Sequence, residues 1–92
     1  MESKLDRLAG LIIHTAKAHH HAFEDVNGED PEWPQWYAAS MHADFERLIG
    51  RSVGVDGLAD LLERFDELHA EEAPDEKWPH FYARKLIDFY SD

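Results

Sequence analysis

Asp30-Pro31-Glu32-Trp33-Pro34-Gln35-Trp36-Tyr37-Ala38 returns 45 positions later as Asp75-Glu76-Lys77-Trp78-Pro79-His80-Phe81-Tyr82-Ala83. Asp, Trp, Pro, Tyr and Ala recur unchanged, and Trp36 is replaced by Phe81. Proline has a fixed φ and no N–H, so Trp-Pro suits the first turn of a helix, where that N–H would have no partner. Each copy therefore reads as the start of a helix. A repeat at this spacing reads as a duplicated helical hairpin.

Working outward, apolar residues before the first copy recur at Leu5, Leu8, Ile12, Thr15 or Ala16, His19 or His20, and Phe23. That three-four spacing lays a stripe along a helix from Glu2 to about Asp25, ended by Asn27-Gly28. The second helix starts near Trp33-Pro34, faces inward with Tyr37, Met41, Phe45 and Leu48, and stops at Gly50. The glycine-rich stretch from 50 to 57 reads as the middle connection, with Asp56 as the expected N-cap of a third helix running to Glu72. Leu58, Leu61 or Leu62, Phe65 and Leu68 form its stripe. At the 45-residue offset they land on Ile13, Ala16, His20 and Phe23, which puts His20 at a core position. Ala73-Pro74 breaks the chain, and the last helix runs from Trp78-Pro79 to about Tyr90 with Tyr82, Leu86 and Phe89 inward.

Four amphipathic segments with short turns and no period-two strand pattern predict an all-α domain over 1–92. The simplest packing is a four-helix up-down bundle made of a duplicated helical hairpin, with halves at about 2–49 and 57–92. The glycine-rich middle also permits an orthogonal meeting of the hairpins or an exchange between two chains. In an up-down bundle the first and third turns share one end. Glu24, Asp25, Glu29, Asp30 and Glu32 would then lie beside Glu71, Glu72, Asp75 and Glu76, an acidic pole of nine of the twenty acidic residues, with Arg47 and Arg51 near the other end.

The chain has 92 residues, a formal charge of -11 and no cysteine. A core this small gives modest stability, so a homodimer is expected. The negative charge repels phosphate backbones and anionic lipid, which argues against nucleic-acid and membrane-surface partners and leaves cations or basic proteins. With no apolar run near bilayer length and no basic, apolar leader at residues 1–7, a cytoplasmic location is expected.

Two sets of residues are candidates for chemistry. Trp33, Trp36, Tyr37, Trp78, Phe81 and Tyr82 form one, since Trp and Tyr offer a flat apolar body with a polar handle. They serve as ligand platform or as clamps on the hairpin turns. Histidine is the other source, with His14, His19, His20, His21, His42, His69 and His80. His20 and Glu24, His21 and Glu24, and Asp66 and His69 are spaced so that two ligands share a helix face. No cofactor is expected from the sequence, and His20, His21, Glu24, Asp66 and His69 are the pool from which a divalent metal would draw its ligands. The other helices lack the glutamates of a carboxylate-bridged pair of metals. No nucleophile elbow, phosphate-cradling loop or dinucleotide fingerprint is present, and the balance tilts against an enzyme.

The segment Trp33 to Ala38 and its echo at Trp78 to Ala83 resemble the Trp-Pro-x-Trp-Tyr-Ala segment of small bacterial proteins of no settled function. The resemblance covers only these residues and implies no activity. The function read from the sequence is a non-catalytic, self-associating helical interaction module with an acidic pole. Its alternatives are a small His/carboxylate metal-binding protein and a small-molecule site between the aromatic repeats.

Overall fold

Each of the two Trp-Pro pairs opens a helix. The computed structural model describes residues 3–26 and 30–90, and its helices are α1 (Lys4–Ala22), α2 (Trp33–Ile49), α3 (Val55–Glu72) and α4 (Trp78–Tyr90). Ser3 caps α1, its Oγ accepting from the Asp6 amide at 3.1 Å, which satisfies a donor that the first turn cannot. Gly50 ends α2 at φ 74, a left-handed value that costs glycine little.

Two expected boundaries shift. Helix α1 ends at Ala22, and Glu24–Val26 form a separate 3-10 turn; the expected stop at Asn27-Gly28 lies outside the described residues. Asp56 is not the N-cap of α3. Gly54 holds that place in extended backbone, and Asp56 sits in the first turn, where a carboxylate favours the positive end of the helix dipole.

The helices close a ring in which α1 packs on α2, α2 on α3, α3 on α4 and α4 on α1, an all-α four-helix bundle. With short connections this is up-down-up-down, so the α1–α2 and α3–α4 turns share one end. The rings of Tyr37 and Trp78 meet there at 6.4 Å. The core between the helices is Leu8, Ile12, Met41, Phe45, Leu58, Leu62, Phe81 and Leu86, all 1 % exposed or less.

Ile12 and Met41, placed inward by the three-four spacing, are fully buried, and so is Phe81. Phe89, expected inward, is 60 % exposed; the next residue, Tyr90, turns in against Phe45 at 5.6 Å. At α1 the inward histidine is His19, 8 % exposed, and His20 faces out.

The reason is the offset. Ten residues separate α1 from α2 and five separate α3 from α4, so α1 corresponds to α3 at 50 positions although α2 corresponds to α4 at 45. At 50 the buried positions match: Leu8 with Leu58, Ala9 with Ala59, Ile12 with Leu62, Thr15 with Phe65. His19 then pairs with His69. Thr15 is the polar exception, and its Oγ1 donates to the Leu11 carbonyl at 2.8 Å, leaving no orphan in the core.

Candidate functional site

In both hairpins a histidine in the last turn of the first helix binds the segment that leads into the second. His19 Nε2 donates to Asp30 Oδ2 at 3.2 Å, and His69 Nε2 donates to the Glu76 carbonyl at 2.6 Å. Asp30 uses its other oxygen to accept from the Glu32 amide at 3.0 Å, which shapes the entry to α2. Each imidazole also meets the aromatic residue three places into the following helix, His19 with Trp36 at 5.0 Å and His69 with Phe81 at 5.2 Å, both edge to face.

Between these two corners lies an open cavity of about 380 Å³ lined by His19, Asp30, Trp33, Tyr37, Asp66, His69, Trp78 and Tyr82. Its ring wall runs from Trp33 to Tyr37 at 5.7 Å, on to Trp78 at 6.4 Å and to Tyr82 at 5.3 Å. Interplanar angles of 87°, 71° and 64° turn the wall sharply at each step. Tyr82 Oη donates to Asp66 Oδ1 at 2.9 Å, crossing from α4 to α3.

Burial pushes the Tyr82 phenol far above its ordinary range, and the hydrogen bond to Asp66 and that carboxylate's charge add to the effect. Burial alone raises Tyr37. Both phenols therefore stay protonated donors at any physiological pH. The lining contains no serine, threonine, lysine or arginine. No buried side-chain polar atom among the described residues lacks a partner.

The structure brings together Trp33, Tyr37, Trp78, Tyr82, Asp66 and His69 of the residues singled out from sequence. Trp36 stands behind this wall, packed on His19 at 5.0 Å and on Phe23 at 6.2 Å. Phe81 is wholly buried and lines nothing. The metal pool divides. His20 and His21 line a separate depression with Ile13, Lys17 and Pro79, on the far side of Trp78, and Glu24 is exposed beside His21 at 3.7 Å. No group of three or more His, Asp or Glu placed to hold a metal ion occurs among the described residues.

His19 and Asp30 are the lining residues that sequence reasoning did not place in a site. The signal for His19 was present: Asp6, Leu8, Ala9 and His19 match Asp56, Leu58, Ala59 and His69 at an offset of 50. No family model, curated protein or solved structure matches the chain. Among the described residues no helix is long and apolar enough to cross a membrane.

Proposed function

We propose that the protein is a non-catalytic binding module built from a duplicated hairpin, and that its working surface is the cleft between the two Trp-Pro corners, which takes a small organic ligand. One observation carries the reading. Both hairpins contribute the same residue types, Trp, Tyr, His and Asp, to a single cavity that the core does not need for packing. Concave sites with apolar walls and a few convergent polar groups are where small ligands bind, and about 380 Å³ suits a compact one.

A two-dimensional NMR screen with small aromatic, aliphatic and charged probes tests this. Shift changes should cluster on the Trp33 and Trp78 indoles and on the amides of Asp66 and His69. A screen in which no probe moves those signals, or in which shifts fall only on α3 and α4 away from the corners, removes the proposal.

A second reading, self-association, is favoured by a different face. Leu61, Phe65, Leu68 and Phe89 line a groove between α3 and α4, and Phe89 leaves most of its ring in water. An exposed ring beside a groove of this kind suits a second copy. Sedimentation at micromolar concentration distinguishes a dimer from a monomer. The acidic balance supports solubility in either state and, through the neighbouring turns, an attraction for cations at the cleft.

A further inference from the structure

We propose that the ligand of the cleft is a compact organic cation of the alkylammonium class, a substituted ammonium group held between the tryptophan and tyrosine rings and faced by Asp30 and Asp66. The inference rests on the cleft being a ligand site and goes on to name what it takes.

Shape is the first argument. Stacked parallel rings accept a flat guest, but here consecutive rings turn by 87°, 71° and 64° along the wall. Such walls enclose a rounded group. Aromatic rings carry negative potential on their faces, and a cation set among several of them is attracted with no need for a hydrogen bond, which is how quaternary ammonium groups are recognised.

Charge is the second argument, and it is independent of the rings. Two carboxylates line the cavity, and no lysine or arginine does. Each carboxylate has two oxygens and about four acceptor sites. Asp30 takes one donor on each oxygen, from His19 and from the Glu32 amide, and Asp66 takes the Tyr82 hydroxyl on Oδ1. Acceptor capacity remains at both, and the Tyr82 hydroxyl, an uncharged donor, leaves the Asp66 charge in place. An anionic guest would meet two like charges at close range. Chain-wide charge of -11 adds a field that draws cations toward the surface.

The histidines narrow the class. His19 and His69 turn Nε2 to Asp30 and to the Glu76 carbonyl, so these nitrogens face protein acceptors, not an ion in the cavity. Among the described residues no group of three or more His, Asp or Glu is placed to hold a bare metal ion. An ammonium group with an apolar coat meets rings and carboxylates at once.

Choline and dimethylbutanol, its neutral carbon isostere, share a shape and differ in charge. Titration of each into the intact protein, at matched ionic strength and followed by calorimetry and by the indole NMR signals of Trp33 and Trp78, isolates that difference. Choline should bind about tenfold or more tightly than the isostere. Asp66→Asn keeps an acceptor for Tyr82 and should narrow that preference, weakening choline more than the isostere. Trp78→Leu should weaken both. Equal affinity for the two compounds, or a preference for the neutral one, overturns the cation assignment and leaves the cleft as a ligand site. If neither compound moves the signals but other probes in the broad screen do, the cation assignment again fails alone. Silence from every probe sinks both readings.

Discussion

His19 and His69 stand at equivalent places, in the last turns of α1 and α3, and each turns Nε2 onto the chain segment entering the next helix. One donates to a carboxylate, the other to a backbone carbonyl. The connection after His19 is five residues longer, and Asp30 projects its side chain to reach the imidazole; the shorter connection after His69 brings the main chain itself within 2.6 Å. The two corners thus reach one geometry by different bonds. Holding both corners rigid is what sets Trp33 and Trp78 on the two sides of a common cavity.

Removing these imidazoles should have unequal effects. His19 is nearly buried and touches Phe23, Trp36 and Tyr37, so His19→Ala opens a gap among rings and strands a poorly exposed Asp30 carboxylate. A loss of about 2 to 4 kcal/mol is expected. His69→Ala loses one hydrogen bond and one ring contact at a half-exposed site, for about 1 to 2 kcal/mol. Urea unfolding of both variants gives the comparison, and an equal or reversed order would contradict the geometry.

Glycine substitutions should move stability in opposite directions. Gly50 has φ 74 and nothing within 4 Å of an added Cβ, so Gly50→Ala costs the left-handed strain alone, about 1 kcal/mol. Gly10 lies inside α1 with equally open space, and Gly10→Ala should raise stability by about 0.5 to 1 kcal/mol through helix propensity. Thermal unfolding of the two single variants and of the double variant measures this, and the double should lie close to wild type because the sites are independent.

The pieces of this fold that were legible in the sequence are those fixed by local chemistry. Trp33-Pro34 and Trp78-Pro79 start helices because proline allows little else there, and Gly50 ends one because glycine takes a positive φ. The pairing of turns at one end follows from chain order once four stripes are present. What misled was the assumption of one offset for the whole repeat. The 45-residue spacing of the motif holds for α2 and α4, but the longer first turn shifts α1 by five residues against α3, and five residues rotate a helix by about 140°, from the core to solvent. His20 was thereby given the place of His19, and the metal pool was drawn from residues that Trp78 separates. Phe89 and Tyr90 were exchanged for a different reason. Both are aromatic, the stripe near a helix end has no further turn to fix its phase, and only contact with Phe45 decides which one turns in.

Alkaline pH should expose the buried phenols. Tyr37, Tyr82 and Tyr90 all lie above their ordinary value, with burial the leading cause at each, and Asp66 adds to it at Tyr82. In the unfolded chain these groups lose protons near pH 10, while the folded chain retains them. Above that pH the unfolded state binds fewer protons than the folded one, so stability falls as pH rises. The loss begins near pH 10 and continues until the folded groups ionise. Tyr82→Phe should flatten this decline and, at neutral pH, cost about 1 to 2 kcal/mol for the lost bond to a carboxylate. Urea midpoints measured from pH 8 to pH 11 for both proteins provide the check, and parallel curves would mean that Tyr82 ionises in the folded state as freely as in the unfolded one.

Phe81 and Phe89 are two turns apart on α4 and should answer mutation in opposite ways. Phe81 is sealed beneath the α3–α4 corner, where His69 meets its ring and Arg84 and Lys85 lie over it at 5.3 and 5.4 Å. Phe81→Ala should cost about 3 to 5 kcal/mol, since a full ring volume is vacated and its neighbours are held by helix backbone on both sides. Phe89→Ser removes a ring that stands mostly in water and should change monomer stability by no more than about 0.5 kcal/mol. Should the α3–α4 groove carry self-association, the same Phe89→Ser shifts the sedimentation profile toward monomer and makes the midpoint of unfolding independent of protein concentration. A dimer that survives Phe89→Ser unchanged places the contact elsewhere on the bundle, because a serine in that groove leaves Leu61 and Leu68 too little apolar area to hold a second copy.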